Sequence, residues 1–231
     1  MTNQKKDFST ENQKKRILAH VDHTLLKAVA DWTGIRSLCE EAVSHGTASV
    51  CIPPSYVERV HRVYPDLAIC TVVGFPLGYH TTETKVFEAK QALDKGASEI
   101  DMVVNLGHVK NGDMEEVTKE IRTMKGICGN HILKVIIETC YLTEDEKIAL
   151  CRCVTEGGAD YIKTSTGFGS GGATEDDVRL MKKHIGQNVK IKAAGGIRTK
   201  EELEKYLALG CKRIGASNAV AALTDENDLE N

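Results

Sequence analysis

Gly158-Ala159-Asp160-Tyr161-Ile162-Lys163-Thr164-Ser165-Thr166-Gly167-Phe168-Gly169 runs from a glycine stop through a three-residue strand into a loop of Gly, Ser and Thr. A lysine that closes a buried strand does little for solubility. At the C-terminal end of a barrel strand it points into the mouth, beside a loop suited to holding an anion. The theme returns one strand–helix unit later in Val189-Lys190-Ile191-Lys192-Ala193-Ala194-Gly195-Gly196-Ile197. Two lysines ending neighbouring strands, each followed by glycines, predict imine chemistry on a phosphorylated aldehyde or ketone.

Outward from this pair, short apolar runs alternate with amphipathic ones. Strands are predicted at 19–24, 48–52, 68–73, 99–104, 132–137, 161–163, 189–193 and 213–217. Helices are predicted at 32–45, 55–63, 82–95, from beyond Gly112 to 127, at 143–156, from 174, and at 200–209, with a short one after 217. Thr143 and Glu146 have capping-box spacing, and Gly46 and Gly96 read as helix stops. Continuous apolar strands separated by helices mean a parallel sheet. Eight such units, with no GxGxxG fingerprint, predict a closed (β/α)8 TIM barrel in preference to an open doubly wound sheet. It is read as a single domain: a polar N-terminal extension over 1–15, the barrel over 16–223 and an acidic tail over 224–231.

Composition narrows the function. A net charge of −3 provides no basic field for nucleic acid or a membrane surface, and 5% aromatic residues leave little to stack on bases. No apolar stretch is long enough to span a bilayer, and residues 1–16 lack a signal-peptide core, so a cytoplasmic protein is expected. The eight cysteines show no CxxC and no Cys/His ligand spacing. They read as reduced, mostly core residues, and no metal site is expected.

Strand alternation sends every second side chain inward. That places Glu99, Asp101 and Val103 inside on the fourth strand, Lys134, Ile136 and Glu138 on the fifth, Tyr161 and Lys163 on the sixth, and Lys190 and Lys192 on the seventh. Ions inside a barrel cost energy unless they are paired or used. Lys163 could instead be a structural ion-pair partner of Asp101 or Glu138. Glu99 and Lys190 are expected to form a structural pair at the far end. Asp22 could merely tie down a loop, and His23 is read as structural. Glycines after the sixth and seventh strands suit close backbone approach to an anion, or simply shape turns.

The chain resembles the deoxyribose-phosphate aldolase family through VDHTLLK (21–27), VGFPLG (73–78), GASEIDMVVN (96–105), KVIIET (134–139), YIKTSTGF (161–168), VKIKAAGGIR (189–198) and RIGAS (213–217). The resemblance implies reversible cleavage of 2-deoxy-D-ribose 5-phosphate to acetaldehyde and glyceraldehyde 3-phosphate, without metal or organic cofactor. It implies that Lys163 forms the Schiff base, that Lys192 tunes it, that Asp101 assists proton transfer and that Asp22 supports them. Lys134 and Glu138 are candidate supporting residues from their inward positions. The phosphate is expected against Gly171, Gly195, Gly196 and Ser217. Asn218 stands where the family often has a second serine, and residues 223–231 contain no tyrosine, which some members use. Competing expectations are another Schiff-base barrel, transaldolase-like or ketose-phosphate-cleaving, and a non-catalytic sugar-phosphate sensor. A homodimer is compatible with the sequence.

Overall fold

The computed structural model describes residues 11–224. The parts of the expected extension and tail at 1–10 and 225–231 lie outside them. A helix whose described residues are 11–18 (α1) leads in, with Ile17 and Leu18 buried in the core. Eight parallel strands then close in chain order: β1 Val21–Thr24, β2 Ser49–Ile52, β3 Ile69–Val73, β4 Glu99–Val103, β5 Ile132–Ile136, β6 Tyr161–Lys163, β7 Lys190–Ala194 and β8 Arg213–Ala216. β8 pairs with β1 and seals the barrel. Every predicted strand is present, with its ends moved by a residue or two.

The helices outside are α2 Trp32–His45, α3 Val57–Val63, α4 Thr82–Asp94, α5 Leu106–Asn111, α6 Met114–Cys128, α7 Glu144–Gly157, α8 Glu175–His184, α9 Lys200–Leu209 and α10 Ala219–Thr224. Their starts follow local chemistry. Thr143 and Thr199 head full capping boxes with Glu146 and Glu202, so orphan N–H groups are satisfied in both directions. α5 lies where the sequence reading had a loop before Gly112. It is under two turns long, too short for a helical period to register, and Asn105 caps it by accepting from Gly107 and His108.

The core is the apolar layer between strands and helices. Outward-facing Ile100, Met102, Leu133, Val135, Ile162, Ile191 and Ala193 all lie within it. One buried ion pair belongs to this layer. Lys85 on α4 donates to Glu120 at 2.8 Å and to the Val103 carbonyl at 2.9 Å, fixing the end of β4 just beyond Asp101. Burial pulls the Lys85 ammonium down, and Glu120 only partly restores it.

Candidate active site

The inward faces of the strands carry charge in place of hydrocarbon. Register sets Asp101 opposite Lys134 and Lys163 opposite Lys192. Lys163 and Lys192 both donate to Asp101 Oδ2, each at 2.7 Å. Lys134 donates to Asp101 Oδ1 at 2.8 Å and pairs with Glu99 at 2.6 Å. Asp22 holds Lys192 and Arg213 in close ion pairs, accepts from Ser49 Oγ at 2.8 Å, and lies 3.4 Å from Lys134. Arg213 closes the floor with Glu99 at 3.0 Å. Gly215 leaves room for this traffic, since a Cβ there would sit 3.3 Å from Lys192 Cε.

Three carboxylates (Asp22, Glu99, Asp101) thus face four cations (Lys134, Lys163, Lys192, Arg213), a net charge of +1 when all are ionised. Burial alone would push Asp101 up, but Lys134, Lys163 and Lys192 together hold its carboxyl well below the usual range. Asp22 is likewise depressed, by Lys134, Lys192 and Arg213 against its burial. Burial would strip protons from Lys134 and Lys192, yet Asp101 and Asp22 outweigh it and raise both. These groups form one charge-matched cluster, fixed in place by mutual attraction in a medium where an unpaired ion costs several kcal/mol, on the order of 3–5.

The sequence reading missed two members of the cluster. Arg213 alternates with Gly215 on β8, so the period that placed the lysines also points it inward. Cys70, taken for a small apolar core residue, donates its thiol to Asp101 Oδ1 at 3.1 Å and accepts from Lys134 at 3.2 Å. Burial pushes this thiol well up, so it remains S–H. The expected Glu99–Lys190 pair does not form. Lys190 is exposed at the barrel rim, 5.5 Å from the Tyr161 ring centroid, and Glu99 turns to Arg213 and Lys134. His23 faces away from the cluster and meets Glu41 on α2 at 2.8 Å.

Glu138, just past β5, does not join the cluster. Its backbone sits in the left-handed region at φ 50°, uncommon for a residue with a Cβ. Its carboxylate takes the Thr166 N–H at 3.2 Å and the Thr166 hydroxyl in a short bond. It therefore pins the loop that follows Lys163. Burial pushes Glu138 up, against the hydrogen bonds from Thr166.

The cluster opens to solvent through a cavity of about 400 Å³ at the C-terminal ends of the strands. Lys163 lines it, as do Gly195, Gly196 and Ser217. Lys134 and Lys192 lie beneath and are fully buried. A larger groove of about 650 Å³, lined by Asn12, Arg16 and Lys212 among others, lies on the flank away from Lys163. A Cβ on Gly196 would meet nothing within 4 Å, so its backbone faces open space. Gly171 does not line the cavity; it packs toward Cys140, whose Cβ a side chain at 171 would meet at 3.1 Å. Gly172 and Gly195 instead let two loops touch, a Cβ on Gly172 falling 2.2 Å from the Gly195 carbonyl oxygen. Asn218 spends its amide N–H on the Arg198 carbonyl at 2.9 Å.

A profile described as DeoC/LacD family aldolase matches residues 15–224. Among curated relatives, a deoxyribose-phosphate aldolase of Clostridium botulinum (strain Alaska E43 / Type E3) is 62% identical over 211 residues, covering 91% of this chain and 96% of that protein. One of Clostridioides difficile (strain 630) is 55% identical over 214 residues, covering 92% and 98%. Among solved structures, the tetrameric deoxyribose phosphate aldolase of Aeropyrum pernix superposes with a TM-score of 0.87 at 27% identity, covering 96% of this chain and 97% of that one. A closed eight-stranded barrel, a lysine–carboxylate cluster beneath its mouth and a profile match across almost all described residues agree: the chain belongs to the DeoC/LacD family of aldolases.

Proposed function

We propose that the protein is a class I aldolase that reversibly cleaves 2-deoxy-D-ribose 5-phosphate to acetaldehyde and D-glyceraldehyde 3-phosphate through an imine on Lys163. One observation carries this reading. Lys163 is the lysine of the cluster that lines the cavity, and it shares a single carboxylate oxygen with Lys192. A sugar-phosphate sensor has no use for that arrangement, because binding alone needs no imine-forming amine.

The surplus positive charge favours the chemistry. Loss of one proton neutralises the cluster. Lys134 and Lys192 each meet two or more carboxylates, whereas Lys163 meets only Asp101 and opens to solvent. Neutral Lys163 Nζ attacks the substrate C1 aldehyde, and loss of water from the carbinolamine leaves a protonated imine. A base removes the C3 hydroxyl proton; the C2–C3 electron pair moves into the imine and glyceraldehyde 3-phosphate departs. The enamine takes a proton at C2, and water releases acetaldehyde from Lys163. Asp101, through a water and with Lys192, carries these protons. Lys134, Asp22 and Arg213 hold Asp101 and Lys192 in place from below. The phosphate lies against Gly195, Gly196 and Ser217, at the end opposite the reacting aldehyde. Cys51 and Cys70 face each other as free thiols across β2 and β3, which suits the reducing cytoplasm.

A substrate panel tests the reading. Deoxyribose 5-phosphate should give acetaldehyde and glyceraldehyde 3-phosphate in equal amounts, and acetaldehyde should act as donor in the reverse direction. Turnover of ketose phosphates, with none of deoxyribose 5-phosphate, would assign a different aldolase.

A further inference from the structure

The residues lining the catalytic cavity include three cations, Lys27, Lys163 and Arg198, and no carboxylate. This contrasts with the chain as a whole, whose net charge is −3. Lys163 is committed to Asp101, which leaves Lys27 and Arg198 as the charges at the mouth. Both are exposed, and among the described residues neither side chain makes a hydrogen bond or a close ion pair, though Glu202 lies within electrostatic reach of Arg198. Topology decides what lies between them. Lys27 follows β1 and Arg198 follows β7, while β8 pairs with both strands and ends at Ala216, just before Ser217. The two cations therefore flank the loop that carries Ser217, on the side of the mouth where Gly195 and Gly196 present bare backbone.

We propose that Lys27 is a specificity-determining residue that reads the substrate's phosphate from the β1 side of the mouth. This rests on the aldolase reading for the identity of the substrate. Arg198 has its backbone anchored at both ends, its N–H on Glu202 at 2.7 Å and its carbonyl on Asn218. Lys27, a point charge on a flexible stem, closes the opposite side once a dianion is present. A cavity lined by one sign of charge also concentrates anions at its entrance. Backbone N–H groups orient the phosphate, and Lys27 adds the charge that separates a phosphorylated aldose from its unphosphorylated analogue.

The test compares wild type, K27M and K27R. For K27M, the ratio of kcat/KM on deoxyribose 5-phosphate to kcat/KM on deoxyribose should fall by about fivefold to tenfold, the scale of one exposed charge-assisted contact. The ratio should return most of the way in K27R, and added salt should weaken phosphorylated-substrate use more steeply in wild type than in K27M. Calorimetric titration with inorganic phosphate gives a readout independent of turnover, and K27M should bind it more weakly than wild type by a similar factor. An unchanged ratio together with unchanged phosphate affinity would overturn the proposal. If wild type does not cleave deoxyribose 5-phosphate, the aldolase reading fails, and phosphate titration alone then decides the role of Lys27.

Discussion

Asp101→Asn is expected to lower kcat/KM by about 10²–10⁴-fold, the range for losing a positioned proton-transfer group. The same change should cost the fold roughly 3–5 kcal/mol, because it strips a shared counter-ion from buried cations. Asp101 accepts from Lys134, Lys163 and Lys192 at 2.7–2.8 Å, and an amide oxygen cannot balance their charge. Urea unfolding should show the loss at pH 7. The pH dependence follows from the depressed carboxyls of Asp101 and Asp22. A carboxyl held below its unfolded value stabilises fully above that value, about 3.9, and loses the contribution as pH falls through the lower folded value. Wild-type stability should therefore drop steeply below about pH 4, and the Asn variant should show a shallower slope there. Near-wild-type stability and turnover in D101N would remove Asp101 from the centre of the account.

Lys192→Met is expected to move the rising limb of the kcat/KM profile upward by about two to three pH units, with on the order of a hundredfold loss at pH 7. The two ammonium groups share one carboxylate oxygen, so their repulsion at an effective dielectric near 20 is a few kcal/mol, about 3–4. Removing Lys192 also brings the cluster from a surplus charge to balance, so the remaining lysines have less reason to release a proton. Higher pH should recover much of the lost rate. A profile that stays in place, with only KM raised, would make Lys192 a binding residue.

Much of this was legible in the sequence because barrel strands obey a period of two. The same alternation that buries Ile100, Leu133 and Ile162 against the helices turns Asp101, Lys134, Lys163 and Lys192 inward. It failed at Lys190, where β7 begins and an inward-phased side chain reaches solvent below the floor. It was under-used at Arg213 and Cys70, whose positions carried the signal while their residue types suggested surface and apolar core. Lys27 had no such signal. It lies on a loop with no period, and its place beside Ser217 depends on β8 closing against β1. Gly171 shows the opposite limit: a glycine-rich string marks a tight loop, but which glycine faces the ligand is set by neighbours such as Cys140 that lie far away in sequence.

We propose that Lys163, the lysine open to the cavity above a buried charge cluster, carries the covalent intermediate. Borohydride reduction in the presence of acetaldehyde, followed by peptide mass spectrometry, tests it most directly. An N-ethyl group on Lys163 Nζ is expected, with loss of activity in proportion to labelling. Labelling confined to Lys192 or Lys134, or full activity after exhaustive reduction with substrate, would contradict it.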